Sequence, residues 1–292
     1  MNVHTTIQLK PPTTFEEQLD ILTGRGLIVQ DRQLAINVLS RSNYYRFTAY
    51  ALTFKNKSDR FHKGTTFETL YMHYMFDRKL RILLLEIIEP IEIAFRTHLS
   101  YLIAHHYGAE GHLDPQNFKD ADKHQSFLLD LQRCLGQSTK DLYVQHHNSR
   151  YGGRFPVWVA LETVTLGTLS KLFSNLKVAD SKHIAQEYYP SSHYKEISSW
   201  LHSLTLLRNR CAHYSRIFNR SFPSQVRIPK QYKSAMLQPS SLFATIIGIK
   251  FFSTPETWEM WLVKLLALMN EYPGVRLDRI GFTPDWYDLL SQ

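Results

Sequence analysis

The segment LLRNRCAHYSRIFNR, residues 206–220, gathers four arginines, two asparagines and one histidine into fifteen positions. Arginine keeps its charge, and its planar fork matches phosphate oxygens two at a time. Imidazole, with a reference pKa of about 6.5, moves protons near neutral pH. Read as a helix at about 100° per residue, the segment places Asn209, His213, Arg216 and Arg220 together. Arg208 lies between the faces and Arg210 flanks the other edge. The result is a cationic ridge holding one titratable ring. Asn209 and His213 are one turn apart, which would let the amide orient the ring. No lysine occurs between Lys195 and Lys230, so arginine supplies every positive charge of this stretch. The plainer reading is the solvated basic face of an amphipathic helix.

The element that must carry these residues is predicted from about Ser192 to Asn219. Ile197, Trp200, Leu204, Leu207, Cys211, Tyr214 and Phe218 recur at three-four spacing and make one apolar stripe. Helical periodicity runs through most of the remaining chain, so the fold class is all-α. Thr13 or Thr14, with Glu16 or Glu17 three residues on, is expected to cap a first helix, and Asp31 a second. SNYYRFTAYALTF reads as partly extended, and KNKSDRFHKG as a loop. Thr65 with Glu68 should cap an apolar run reaching Tyr107, which Pro90 is expected to kink or divide. Leu113–Arg150 reads as one helix with loops. Pro156 opens a single helix over VWVALETVTLGTLSKLFSNL, and Pro190 precedes the helix of the opening motif. PETWEMWLVKLLALMNEY is the last clear amphipathic helix. The expected organisation is an N-terminal segment over 1–60, a helical bundle over 61–222 and a C-terminal extension over 223–292, forming one compact unit.

Composition bounds the partners. The chain has 292 residues, 43% hydrophobic and 21% charged, with a net charge of +8 and a pI near 9.3. Such a surface favours polyanions. Two cysteines, Cys134 and Cys211, cannot build a disulfide framework or a four-thiolate zinc site. A reducing, cytoplasmic setting is expected, because MNVHTTIQLKPPTTF lacks the apolar core of a signal peptide. Glu86, Glu89 and Glu92 interrupt the most hydrophobic run, so no membrane segment is expected.

At Arg208–His213 a resemblance enters. RNRCAH resembles the R-x4–6-H motif of HEPN-fold ribonucleases. EPIEIAFRTHLSYLIAHHYG, FPVWVALETVTLGTLSKLFSNL and SNYYRFTAY are similar to blocks of the Abi-like family, the AbiD/AbiF-type abortive-infection proteins. The blocks sample residues 20 to 220 in order. The resemblance implies antiphage defence through RNA cleavage, on a HEPN-type bundle with helical extensions that works as a homodimer. Arg208 and His213 would be the catalytic pair and Asn209 the polar residue after the arginine. Arg210, Arg216 and Arg220 would grip RNA, and Glu92 with Arg96 would support the catalytic helix. A structural ion pair is the plainer reading of Glu92 and Arg96.

RNA carries its own nucleophile, the 2′-OH. Its attack on the neighbouring phosphodiester needs proton transfer and stabilisation of charge on the non-bridging oxygens. The products would be a 2′,3′-cyclic phosphate and a free 5′-OH, with no metal or other cofactor. His213 could serve as base or acid, a second His213 taking the other role. Positions five apart diverge by about 140° on an ideal helix, a gap that arginine's length, a bend or a partner chain could close. His105–His106 and His146–His147 read as solvated rather than metal-binding. Two rivals stand beside the nuclease: a non-catalytic module gripping a structured or guide-like RNA, and a helical interaction protein whose basic face meets an acidic partner such as an antitoxin or inhibitor. A regulatory non-coding RNA is a further expected partner.

Overall fold

The structure, a computed structural model, describes residues 9–292, so the signal-peptide reading of residues 1–8 lies outside the described residues. The chain divides into two compact units. One holds the segment up to Arg78 with Tyr272–Val275, and the other holds Lys79–Glu271 with Arg276–Gln292. Among the described residues no strand forms, only isolated bridges such as Phe118 with Leu176. The all-α expectation holds.

In the first unit, α1 (Phe15–Gly24) opens on Thr14. Its hydroxyl accepts from the Glu17 N–H at 3.2 Å, and the Glu17 carboxylate accepts from the Thr14 N–H at 2.7 Å. Each satisfies a donor that the first helical turn leaves unpaired. Asp31 caps α2 (Arg32–Ser42) by accepting from Leu34 N–H. The aromatic stretch expected to be partly extended is helical instead, as α3 (Tyr44–Thr48) followed by a 3-10 turn over Ala49–Phe54. Asn43 restarts the chain with φ at 60° and accepts from Tyr45 N–H. Phe47, Tyr50 and Ala51 then turn inward together, and Phe47 stacks on Phe67 with centroids 4.7 Å apart. Core packing thus overrides the strand preference of the tyrosines.

The next helix, α4 (Phe67–Tyr107), is capped by Thr66 rather than Thr65. The Thr66 hydroxyl accepts from Thr69 N–H, whereas the Thr65 hydroxyl donates to the His62 carbonyl. It runs unbroken for 41 residues, with Pro90 inside it, so the expected division does not occur. Pro90 and Glu86, whose carbonyl the ring leaves without its N–H, both lie on the exposed side, where water can serve that carbonyl. On the other side Leu84, Ile87, Ile88, Ile91, Phe95 and Leu99 are buried.

In the second unit this buried face meets the rest of the bundle. The expected single stretch over 113–150 resolves into α5 (Ala121–Gln137) and α6 (Leu142–Arg150). The helix expected from Pro156 is two, α7 (Val157–Thr163) and α8 (Leu166–Asn175). Its β-branched Thr163-Val164-Thr165 run disfavours helix, and Thr165 recaps by accepting from Thr168 N–H. Then come α9 (Val178–Tyr188) and α10 (Tyr194–Ala212), and α10 packs against α8 and α9. Next is α11 (Leu242–Lys250), which had no amphipathic signal because eight of its nine residues are buried. The expected amphipathic helix is α12 (Pro255–Glu271), and Trp286–Ser291 forms α13. Trp261 of α12 donates its indole N–H to the Leu83 carbonyl of α4 at 2.7 Å. Among the described residues no helix is long and apolar enough to cross a membrane.

Trp200 seats α10. Its indole N–H donates to the Arg227 carbonyl at 2.8 Å, its ring stacks on Phe251, and α11 crosses it at Gly248. A Cβ on Gly248 would lie 2.9 Å from Trp200 Cγ. Gly248→Ala is therefore expected to destabilise the fold by about 1–3 kcal/mol, the usual cost of overpacking, in urea unfolding. Unchanged stability would show that the two helices can separate without loss.

Candidate functional site

The helix of the opening motif stops earlier than its apolar spacing suggests. It ends at Ala212, His213 is its C-cap with φ −91° and ψ 15°, and Tyr214 turns left-handed at φ 56°. Tyr214 N–H donates to the Cys211 carbonyl at 3.1 Å and Ser215 N–H to the Arg210 carbonyl at 2.8 Å. This pair of bonds is the Schellman stop, which usually places glycine where Tyr214 stands. Tyr214 is exposed and leaves the apolar stripe, while Ile197, Trp200, Leu204, Leu207 and Cys211 keep it buried. The stop corrects the expected ridge. Arg216 and Arg220 lie beyond the helix and do not continue the line of Asn209 and His213.

Two of the arginines shape the turn that follows. The Arg210 guanidinium donates to the Ser221 carbonyl through both terminal nitrogens at 3.3 Å and sits 4.4 Å above the Phe222 ring. Burial, with nearby Arg220, pulls Arg210 below the usual arginine range. Arg216 donates to the Phe218 carbonyl at 2.8 Å. Arg220, Asn209 and His213 are exposed. The Asn209 amide does not hydrogen-bond the His213 ring. Among the described residues neither side chain has a hydrogen-bond partner, and only the His213 backbone N–H reaches back, to the Asn209 carbonyl.

Arg208 points to a different neighbour. Its Nε lies 3.4 Å from Glu92 Oε2 of α4. The other carboxylate oxygen, Oε1, accepts from Arg96 Nη2 at 3.3 Å. Arg96 also donates to the Val164 carbonyl at 3.0 Å and lies 3.7 Å from Glu162. Glu92 and Arg96 are both 13% exposed, against 36% for Arg208. One carboxylate thus joins a largely buried guanidinium to a half-exposed one, and the break between α7 and α8 supplies the carbonyl that completes the cluster. Reading the sequence missed Glu162 and Val164. Their contribution depends on that break, which periodicity did not show.

Other histidines hold structural contacts. His98 stacks on Tyr188 at 3.6 Å, lies 3.1 Å from the Tyr189 hydroxyl, and is driven by burial down to about 4, so it stays neutral near pH 7. His105 sits 2.8 Å from the Tyr101 carbonyl. His106 is not merely solvated: its Nδ1 is 3.1 Å from Asp180, which also accepts from the Tyr107 hydroxyl at 2.6 Å. His147 Nδ1 lies 3.1 Å from the Arg154 carbonyl. Among the described residues no group of three or more His, Cys, Asp and Glu side chains is placed to hold a metal ion.

Fold and site together define an all-helical protein whose arginine–histidine motif closes one helix, with the arginine tied to a carboxylate of another. The profile of the family described as Abi-like protein matches residues 37–219, more than half of the chain. The chain belongs to that family. The matched span contains the Glu92–Arg96 turn, the α7–α8 break and the motif through Asn219. No curated protein and no solved structure matches the chain.

Glu92 is expected to couple more strongly to Arg96 than to Arg208. The first pair is shielded on both sides, whereas Arg208 is partly screened by water. A double-mutant cycle in urea with Glu92→Gln, Arg96→Gln and Arg208→Gln measures both. It should give about 1–3 kcal/mol for Glu92 with Arg96 and under about 1 kcal/mol for Glu92 with Arg208. No coupling in either pair would dissolve the cluster as an energetic unit.

Proposed function

We propose that the chain is a metal-independent endoribonuclease acting in abortive infection, the defence role that its family membership suggests. The observation that carries the reading is the anchoring of Arg208. Glu92 restrains its guanidinium from α4 while leaving it part-exposed, near the helix stop where His213 is exposed with its ring unengaged. A restrained cation suits an oxyanion whose charge grows during reaction, because little reorganisation is then needed. An open imidazole suits proton transfer to or from a bound strand. The 2′-OH would attack the adjacent phosphorus, the phosphorus–O5′ bond would break, and the departing O5′ would take a proton. Arg208 would hold the non-bridging oxygens, and His213 would move one of the two protons. Arg220 stands ready for the backbone, while Arg210 and Arg216 set the turn that presents it.

One imidazole covers one proton transfer, and a homodimer with two motif helices facing each other would supply the second. A two-fold interface places the same patch on both subunits. Repulsion between two arginine-rich ends opposes this association, and bound RNA relieves it.

Purified protein with labelled single-stranded and structured RNA in excess EDTA tests the chemistry. Cleavage is expected to persist, to leave a 2′,3′-cyclic phosphate, and to stop when the scissile nucleotide is replaced by its 2′-deoxy form. His213→Ala should slow it by about 100-fold or more while shifting stability by no more than about 0.5 kcal/mol. RNA bound tightly but never cut would instead favour a non-catalytic RNA-binding module.

Mixing wild-type chains with excess His213→Ala chains tests the two-histidine arrangement. With free subunit exchange, activity should fall as the square of the wild-type fraction. A linear fall, with light scattering showing an active monomer, would remove the composite site.

A further inference from the structure

At the far end of α10 from the motif, a cleft of ≈ 380 Å³ lies among α8, α9 and the first turns of α10. Its lining includes Lys119, Lys195 and Arg227, with Ser174, Ser181 and Tyr194 between them, and no carboxylate. A second hollow of ≈ 550 Å³ shares Lys195 and Arg227 and adds Lys230 and His193. Its one carboxylate, Glu196, accepts from the His193 N–H at 2.9 Å as a helix cap. Among the described residues none of these four cations is in an ion pair. Four cations around two adjoining hollows therefore have no ion-pair partner among the described residues.

The backbone beneath them is fixed. Lys119 N–H donates to the Asn175 carbonyl at 2.9 Å, and the buried Asn175 amide exchanges two hydrogen bonds with the Asp120 backbone. Arg227 N–H donates to Ser199 Oγ at 3.0 Å, and its carbonyl accepts from Trp200. The side-chain ends remain open while their main-chain atoms are held. Burial, and beside it the charge of Lys123, keep the Lys119 ammonium below the usual lysine range. Both effects disfavour the charged ammonium, and an anion bound in the cleft would offset them. Charged lysine and arginine heads with serine hydroxyls between them recognise phosphate oxygens.

We propose that this cleft binds phosphate groups. Resting on the RNA reading of the motif, these are backbone phosphates of the strand held at His213. From Tyr194 to His213 the helix spans roughly 28 Å, a reach on the order of eight stacked nucleotides. One strand laid along α10 would engage both ends. The same chemistry could come from a free phosphate ester such as a nucleotide, so the test separates the two.

Binding is measured by fluorescence anisotropy in the His213→Ala protein, which keeps RNA intact. The probes are labelled polyuridine of about 20 nucleotides, a second of about 4, each length set against that span, and a labelled ATP analogue. Lys119→Glu combined with Arg227→Glu should weaken the longer RNA by about tenfold or more. It should also lower the slope of log affinity against log salt by about 1.4, two contacts at about 0.7 each. The short RNA cannot span both ends, so it should bind the parent more weakly than the longer RNA and lose less in the variants. Lys119→Ser with Arg227→Gln should act in the same direction, and thermal unfolding checks that both variants fold. Loss of ATP binding with unchanged RNA binding would keep the phosphate cleft and assign it to a free ester. Equal binding of every probe by parent and variants, or no probe bound by the parent, would overturn the proposal. Failure of the wild-type chain to cleave RNA would overturn the nuclease reading and leave these binding results to decide the cleft.

Discussion

The arrangement of the motif depends on where one carboxylate sits. Glu92 lies between Arg96 and Arg208, and without it the largely buried Arg96 guanidinium would lose its carboxylate partner on α4 and face a second cation. Removing one partner of a shielded pair costs far more than the pair is worth against an apolar alternative, so the cluster constrains every element that feeds it. It requires α4 to run unbroken past Pro90, so that Glu92 and Arg96 stay one turn apart on the same face. It requires α7 to stop before Val164, since the carbonyl freed there is one of the acceptors of Arg96. It also requires α10 to present Arg208 beside α4, which the Trp200 and Gly248 contacts with the following segment secure.

The second constraint is the end of α10. His213 occupies the bridge region of backbone space, and Tyr214 the left-handed one. A tyrosine at positive φ costs energy that glycine would avoid. Here the Schellman bonds and the contacts of Arg210 and Arg216 with the following turn hold it. The stop has a chemical consequence. Had the helix continued to Asn219, His213 would be one more residue on a long solvated face, flanked by further turns above and below. Ending there, it presents the exposed ring at a corner open beyond the helix end.

Much of the fold was legible because apolar spacing reports burial directly. The stripe from Ile197 to Cys211 and the caps at Thr14 and Asp31 fall where their residue types place them. The errors have physical causes. Pro90, expected to kink or divide its helix, does not divide it, because its lost hydrogen bond faces solvent. The tyrosines before Phe54 looked partly extended, but their rings serve a helical core. Tyr214 and Phe218 fit the period of α10 and stand outside it, because the stop uses a tyrosine where the usual signal is glycine. Nearly every residue of α11 is buried, which erases the alternation by which helices are recognised. At the site, Glu92 and Arg96 were visible as a one-turn pair, whereas Glu162 and Val164 reach it only through the break between α7 and α8.

The choice of arginine at position 208 suits the two anions it would face in the proposed reaction, Glu92 and a phosphate. A lysine could answer Glu92 or a phosphate, but its single ammonium would have to leave one for the other. A guanidinium can give its Nε edge to the carboxylate and keep terminal N–H groups for a second anion. In that reaction Glu92 would weaken the pull of Arg208 on a ground-state phosphate by partly neutralising it. The same contact fixes the direction in which the remaining donors point. For a reaction whose charge builds late, orientation is worth more than raw attraction, since uniform binding tightens substrate without lowering the barrier. In the proposed reaction the arrangement would separate two tasks: distant cations would supply affinity along the strand, and the restrained Arg208 with the open His213 ring would act where charge develops.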